Sequence, residues 1–261
     1  EALERARQGL LAACSALRGR TLGELLPGLL VLAGEIREQL VHLRIAERLL
    51  ERISPLDEMN FAVGNIAPDS GIPDEKWEKF TPPPEVSHFQ NGVSVHRDLA
   101  DLEFYRRYLH PLQQTQLEPA RYSFLLGYFF HLVTDNLWAV KIGRPTKQKF
   151  LAQFEADKDF IWEVKRDWYG LDFEYVRSQP MSLFWRAFLP ANFTGDYLDF
   201  MSLNAIQQRV DYIKGFYQRT DEEVESWYIQ HPGLYLTQAE MDAFVANSAE
   251  FLARAYGLLQ S

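Results

Sequence analysis

The sequence predicts an all-α fold, in the form of a single-domain bundle of many helices. Apolar residues recur at helical spacing along most of the 261-residue chain. Helix start signals of the capping-box type occur at Thr21/Glu24, Thr220/Glu223 and Thr237/Glu240. No stretch alternates apolar and polar residues over the length of a strand. With 47% hydrophobic residues and neither a repeat nor a linker, the composition favours one substantial core.

The beginning of the chain predicts an amphipathic helix over residues 1–20, where leucines recur at helical spacing. We expect residues 1–40 to form an N-terminal helical extension, followed by the main all-α domain at residues 41–261. The sequence leaves the role of this extension open.

A second helix is predicted over residues 31–53. Ser54 and Pro55 resemble a capped start with proline in the first turn, which predicts a short helix that ends near Gly64. Residues 65–97 are rich in proline and keep no period of 2 or 3.6, so they predict a long irregular loop between the second and central helices. A loop of this length inside a compact domain is usually functional or mobile.

The central helix is predicted over residues 121–141, after another helix at residues 98–109. Its sequence, RYSFLLGYFFHLVTDNLWAVK, is apolar on nearly every side, which is typical of a helix buried all round. About 19 residues lie between the flanking charges, close to a membrane-spanning length. The polar residues His131, Asp135 and Asn136 argue against a transmembrane segment.

The rest of the chain predicts five further helical segments. Pro145 is expected in the first turn of a helix that runs to about Trp168. Helical segments at residues 172–176 and 201–217 and the two capped helices complete the chain. The residues predicted to point inward from the helix after Pro145 are Phe150, Phe154, Ile161 and Trp162.

Charge and cysteine content restrict the function classes. The net charge of −9 makes a nucleic acid partner unlikely, because no basic patch is evident in the sequence. The single cysteine, Cys14, excludes an internal disulfide and a thiolate metal cage. With no signal peptide visible, we expect a cytoplasmic protein. The oligomeric state is not indicated.

His131 and Asp135 are the first candidates for chemistry. They are four residues apart on one face of the predicted central helix, among apolar neighbours. Burying an imidazole and a carboxylate is costly unless each is paired or bound to a metal. Two interpretations stay open at this point, a hydrogen-bonded pair in the core and a pair of metal ligands.

His42, Asp69 and His88 are further candidates, although each has a simpler interpretation. His42 on a helix face is compatible with a packed or surface histidine. Asp69 after Pro68 is compatible with a turn or cap residue. His88 in the proline-rich loop is compatible with a solvated side chain. The solvated interpretation is favoured more strongly for the other histidines, His96, His110 and His231.

Four separated segments change this assessment when they are taken together. LVHLRIAERLL, FAVGNIAPDS, EVSHF and LGYFFHLVTDNLW occur in this order between His42 and Trp138. The chain thereby resembles the zinc-dependent phospholipase C family, relatives of the S1/P1 nucleases, and within it the short bacterial branch. The resemblance implies an all-α fold with a zinc site that cleaves phosphate ester bonds. It implies that the metal ligands are His42, Asp69, His88, His131 and Asp135.

The resemblance also implies that Asp69 is catalytic, as the residue nearest the attacking water. Larger secreted members use their free amino terminus as a ligand, but here 41 residues precede His42. Members with three zinc ions have further histidines after the H-x-x-x-D helix, where this chain has only His231. Glu155 and Asp159 offer carboxylates there but are more typical of a solvated helix face. We therefore expect one or two zinc ions.

The expected function is hydrolysis of a small phosphate ester or phospholipid headgroup, most simply as a phospholipase C-like phosphodiesterase. Phe89, Tyr128 and Trp138 are candidates for the walls of the substrate pocket. An S1/P1-type nuclease is one alternative, since it would use the same metals. A non-catalytic helical protein that binds a metal or another ligand is the second alternative.

Overall fold

The computed structural model describes residues 39–75, 79–90, 101–112, 118–220, 222 and 233–260. These residues are mostly helical, which confirms the predicted all-α class. The predicted helix at residues 1–20, the extension up to residue 38 and Glu223 of the predicted Thr220/Glu223 capping box lie outside the described part. The domain boundary therefore stays a prediction. The described α-helices are α1 Gln39–Leu50, α2 Glu58–Gly64, α3 Pro84–Ser87, α4 Asp101–Phe104, α5 Pro119–Trp138, α6 Arg144–Lys149, α7 Leu151–Ala156, α8 Phe160–Ser178, α9 Leu203–Tyr217 and α10 Gln238–Gln260.

The central helix α5 contains a long continuous run of buried residues. It begins at Pro119, in the first turn, and every residue from Tyr122 to Thr134 is buried, as the apolar sequence predicts. The helical path continues as a π-helix over Ala139–Gly143, which leads directly into α6. Helices α1, α2, α4 and α10 pack against α5, and among them α2 has the most extensive contact with it.

Two glycines bring α2 and α5 close together. A methyl group at Gly127 would lie 2.5 Å from the carbonyl oxygen of Phe61, and one at Gly64 would overlap the backbone of Phe124. Any larger residue at either position would therefore push the two helices apart. This close approach determines where the chain leaves α2 and enters the loop that follows.

The short helix α2 begins later than predicted. Its cap is Asp57, whose carboxylate accepts a hydrogen bond from the Asn60 amide at 2.8 Å. The prediction of a start at Ser54 with Pro55 in the first turn was therefore wrong by about one turn. The predicted end at Gly64 is confirmed.

The predicted irregular loop contains short elements that the sequence pattern did not reveal. A 3₁₀-helix, Ala67–Asp69, is followed by a two-stranded antiparallel ribbon of Ile72–Pro73 and Phe80–Thr81, and then by α3. Strands of two residues are too short to show an alternating pattern, so the ribbon could not be predicted. The structure describes residues 65–75 and 79–90 of this loop.

The helix predicted from Pro145 to Trp168 is in fact three helices. Pro145 lies in the first turn of α6, as predicted, but the chain leaves the helical path at Phe150 and again at Asp157. Helix α8 then runs on to Ser178, so the predicted segment 172–176 is its last part. Phe154 is buried, whereas Trp162 is 40% exposed, so its predicted inward position was wrong.

Helix α9 lies within the predicted segment 201–217, and α10 begins at its predicted start signal. Ser202 caps α9 by accepting a hydrogen bond from the Ala205 amide. At the start of α10 the Thr237 amide donates to Glu240 at 2.8 Å, and the Glu240 amide donates to the Thr237 hydroxyl at 3.2 Å, which confirms the capping box. Among the helices that the structure describes, no helix combines the length and the apolar character that crossing a bilayer requires.

Candidate metal centre

The five predicted ligands come from separate elements that meet at one face of α5. His42 is in the first turns of α1, Asp69 ends the 3₁₀-helix and His88 directly follows α3. His131 and Asp135 are one turn apart on α5. The three histidines are at most 3% exposed, and the side chains of Asp69 and Asp135 are 7% and 11% exposed. The carboxylates therefore form the side of the cluster that solvent can reach.

Each histidine presents its Nε2 atom to a carboxylate. His42 lies 3.6 Å from Asp135, and His88 lies 3.2 Å from Asp69 and 3.7 Å from Asp135. His131 lies 3.4 Å from Asp135 and 3.9 Å from Asp69. The donor atoms fall into two overlapping groups that share His131, one with His42 and Asp135 and the other with Asp69 and His88.

The hydrogen bond made by Nδ1 of His131 determines the tautomer of that ring. It lies 2.7 Å from the carbonyl oxygen of Asn65, an acceptor, so Nδ1 carries the hydrogen. In the neutral ring Nε2 then holds the lone pair toward the two aspartates. Metal-binding histidines characteristically donate their other N–H to a carbonyl or carboxylate in this way.

The rings of His42 and His131 are stacked, with centroids 3.9 Å apart and planes inclined by 12°. Two imidazolium ions in this position would repel each other across a buried contact. A cluster of fully protonated histidines paired with the aspartates is thus disfavoured on electrostatic grounds.

The glycine contact between α2 and α5 explains how Asn65 reaches His131. The position that a side chain at Gly127 would take lies 2.9 Å from the Asn65 amide nitrogen. Asn65 is held there by its side-chain amide, which donates to the Phe61 carbonyl at 2.9 Å. The Asn65 carbonyl consequently faces the next turn of α5, where His131 lies.

The loop that carries His88 is held by Tyr128. The Tyr128 hydroxyl donates to the Ser87 carbonyl at 2.5 Å, and the Ser87 hydroxyl lies 2.9 Å from His88 Nδ1. Tyr128 has no exposed surface, and burial raises the pKa of its hydroxyl well above 10. Its predicted place in the wall of a substrate pocket was therefore wrong, and its role is to support the His88 loop.

Phe89 and Trp138, the other two residues predicted to line the substrate pocket, lie in different surroundings. Phe89 has a left-handed backbone, with φ of 52°, and its ring packs edge-on against Phe104 and Phe200 at 5.4 Å each. Its partly exposed side chain, next to His88, keeps it a candidate for the pocket wall. Trp138 packs edge-on against Trp168 at 5.2 Å and Phe244 at 5.1 Å, between α5, α8 and α10.

The remaining sequence candidates do not join the cluster. His110 follows α4 and is exposed, and Glu155 and Asp159 are exposed on and after α7, as expected for a solvated face. His96 and His231 lie outside the described residues. Sequence reasoning missed Asn65 and Ser87, since an asparagine carbonyl and a serine next to a histidine give no distinctive signal.

The histidine and aspartate side chains of the cluster could bind a metal ion. Zn–N and Zn–O bonds of 2.0–2.2 Å in tetrahedral geometry put neighbouring donors roughly 3.3–3.6 Å apart. The measured separations of 3.2–3.9 Å are close to this range, and they are longer than most good hydrogen bonds. Two carboxylates with neutral histidines carry a charge of −2, which one divalent cation balances. Oδ1 of Asp135 faces His42 while Oδ2 faces His88 and His131, so the arrangement accommodates one ion or two bridged ions.

Comparison of the chain with known proteins gave no match to a family model, to a curated protein or to a solved structure. The residues of the cluster are therefore the basis for inferring function.

Proposed function

We propose that the protein is a zinc-dependent hydrolase of phosphate esters, of the phospholipase C-like type. The observation that supports this proposal is the convergence of three imidazole nitrogens and two carboxylates within 3.2–3.9 Å on one face of a buried helix. Imidazole and carboxylate donors together suit Zn²⁺. The four sequence segments that resemble the phospholipase C family contain all five of these residues.

His42, His131 and Asp135 would hold one ion, and Asp69 and His88 would complete its shell or hold a second ion next to it. A bound zinc ion supplies Lewis acidity toward a phosphate ester and lowers the pKa of water at the site. The histidine side of the cluster is sealed, so substrate and water approach from the side of Asp69 and Asp135. Asp69 would accept the proton of the attacking water and direct that water toward phosphorus.

The proposed substrate is a small phosphodiester or a phospholipid headgroup. Such a substrate brings one phosphate to the carboxylate side of the cluster and needs no extended basic groove. A nucleic acid strand would need one, and the net charge of −9 opposes it. The alternative of a protein that binds a metal without catalysis is also compatible with the low exposure of all five side chains. A metal ion whose coordination positions are all filled by protein ligands would leave no position for substrate.

Zinc content and hydrolysis measured on the same samples test the proposal. The purified protein should contain one or two equivalents of zinc and hydrolyse p-nitrophenyl phosphorylcholine faster than single-stranded DNA. His131→Ala should lose most of the zinc, whereas Asp69→Asn should lose hydrolysis by a larger factor than it loses zinc. The exposed His110→Ala is the matched control and should change neither quantity. Stoichiometric zinc that survives both site substitutions would refute the metal centre, and zinc without hydrolysis of any phosphodiester would leave only metal binding.

A further inference from the structure

A cleft of about 560 Å³ lies between the end of α5, helix α6 and helix α10. This volume is within the range of small-molecule sites, roughly 300–1,000 Å³. None of the five candidate metal ligands lines it. Leu137, which does, is six residues after His131, so it points away from the metal-binding face of α5 by about 120°. The cleft is therefore separate from the metal centre.

The inner surface of the cleft is apolar. Ile142, Leu236 and Phe244 are buried beneath it, and the partly buried Leu137 and Phe251 form its sides. A polar ligand alone would gain little from this surface, whereas an alkyl chain would bury it at roughly 25 cal/mol for each Å² removed from water.

The rim of the cleft has the opposite charge to the rest of the protein. Its charged lining residues are Lys141, Lys149, Arg254 and Glu240, in a chain with 27 basic and 36 acidic residues. Glu240 is engaged by the Thr237 amide and hydroxyl, at 2.8 and 2.7 Å, and the charge of Lys149 contributes to lowering its pKa. Lys141 and Arg254 therefore remain as the cations available to a ligand.

Arg254 also has a neighbour on its own helix, Glu250, at 3.5 Å. Both side chains are more than half exposed, at 72% and 56%, so this pair is weak and easily exchanged for another anion. A second copy of this chain is a poor occupant, because a two-fold contact through the cleft would bring the same cations face to face. An anionic head with an apolar tail matches both parts of the surface.

We propose that this cleft binds a single-chain amphiphilic anion, with its alkyl chain against Leu137, Phe244 and Phe251 and its carboxylate or phosphate head between Lys141 and Arg254. A carboxylate and a phosphate both present negatively charged oxygens, which the two cations at the rim would bind. The site is independent of the proposed zinc centre, since it uses a different face of α5 and none of the metal ligands.

Binding is tested by isothermal titration calorimetry with decanoate and decyl phosphate below their micellar concentrations, on the full chain. We expect one saturable site for at least one of them, and weaker or no binding of decanol and decyltrimethylammonium. The double variant Lys141→Gln/Arg254→Gln should bind about tenfold more weakly or worse, because charge-assisted hydrogen bonds to the head are lost. Asn247→Trp, at an exposed lining position, should block the cleft, and Ala243→Phe is a second variant with the same purpose.

The matched control is Lys158→Gln/Arg166→Gln, which also removes one exposed lysine and one arginine paired within its helix, neither of which lines the cleft. This control should bind as the unmodified protein does. Absence of saturable binding, equal binding of decanol, or unchanged binding in both cleft-blocking variants would overturn the proposal. A dimer in solution that Asn247→Trp dissociates would also overturn the proposal, since the cleft would then be the contact between two copies of the chain. Hydrolysis and zinc content are measured in parallel, so failure here is distinguishable from failure of the proposed enzyme.

Discussion

The Nδ1 atom of His131 lies 2.7 Å from the carbonyl oxygen of Asn65, sixty-six residues earlier in the chain. This contact depends on the close approach of α2 to α5 at Gly127, and it sets the orientation of the ring at the centre of the cluster. The stability of the helix pair and the geometry of the candidate metal centre are therefore linked.

Gly127→Ala should destabilise the protein and weaken zinc binding together. The added methyl would lie 2.5 Å from the Phe61 carbonyl oxygen and 2.9 Å from the Asn65 amide nitrogen, so the helices must separate. We expect a loss of about 1–3 kcal/mol in the free energy of unfolding, measured by urea denaturation, and a higher dissociation constant for zinc.

Gly215→Ala and Gly257→Ala are the matched controls, since nothing lies within 4 Å of the added methyl at either position. Both glycines are inside helices, so alanine should be neutral or stabilise by up to about 1 kcal/mol. Equal effects at Gly127 and Gly215 would contradict the close contact.

Zinc should stabilise the folded protein, because the assembled cluster exists only in the folded chain. At a free zinc concentration 100 times the dissociation constant, the expected gain is about 2.7 kcal/mol. Thermal unfolding with added zinc and with a chelator measures this gain as a shift in Tm. His131→Ala, at the residue that both donor groups share, should abolish the shift, and His110→Ala should retain it. A shift of the same size in both variants would place zinc somewhere other than this cluster.

Stability should fall as the pH rises from about 4 to about 7, through Asp172. Burial raises the pKa of this carboxyl from 3.8 to about 7, against the opposing effects of Arg44 and of the Tyr217 hydroxyl that donates to it at 2.9 Å. The folded protein therefore holds this proton more tightly than the unfolded chain. The resulting stability is fully present below pH 4 and is lost as the pH passes through 7.

Asp172→Asn should flatten this part of the pH profile, because the amide does not ionise while its oxygen can still accept from Tyr217. At pH 8 we expect the variant to gain up to about 4 kcal/mol relative to the unmodified protein, from a shift of about three pKa units. Asp211→Asn is the control, as the Asp211 side chain is 78% exposed and should leave the profile unchanged. A steep profile that persists in Asp172→Asn would assign the effect to other groups.

Phe89→Gly should be more stable than Phe89→Ala. Both variants lose the ring contacts with Phe104 and Phe200, but only glycine adopts a φ of 52° without steric cost. The expected difference in the free energy of unfolding is about 1–2 kcal/mol, measured by urea denaturation. If alanine is the more stable of the two, residue 89 does not keep its left-handed backbone in solution.

Much of the fold was predictable because helices are local. The burial of α5, the start of α6 at Pro145 and the capping box at Thr237/Glu240 all follow from residues within a few positions of one another. The breaks at Phe150 and Asp157 were missed, since the apolar period continues through them and only packing against other helices separates the segments.

The candidate site, like the fold, was predictable only in its local features. By itself the sequence determined which side chains have the chemistry of metal ligands, and the spacing of His131 and Asp135 placed two of them on one face of a helix. Only the tertiary structure decided that His42, Asp69 and His88 meet them, that Asn65 orients His131, and that Tyr128 supports the His88 loop instead of facing substrate. The physical reason is that donors up to 93 positions apart are brought within 4 Å by the packing of α2 against α5, and no pattern of neighbouring residues encodes that distance.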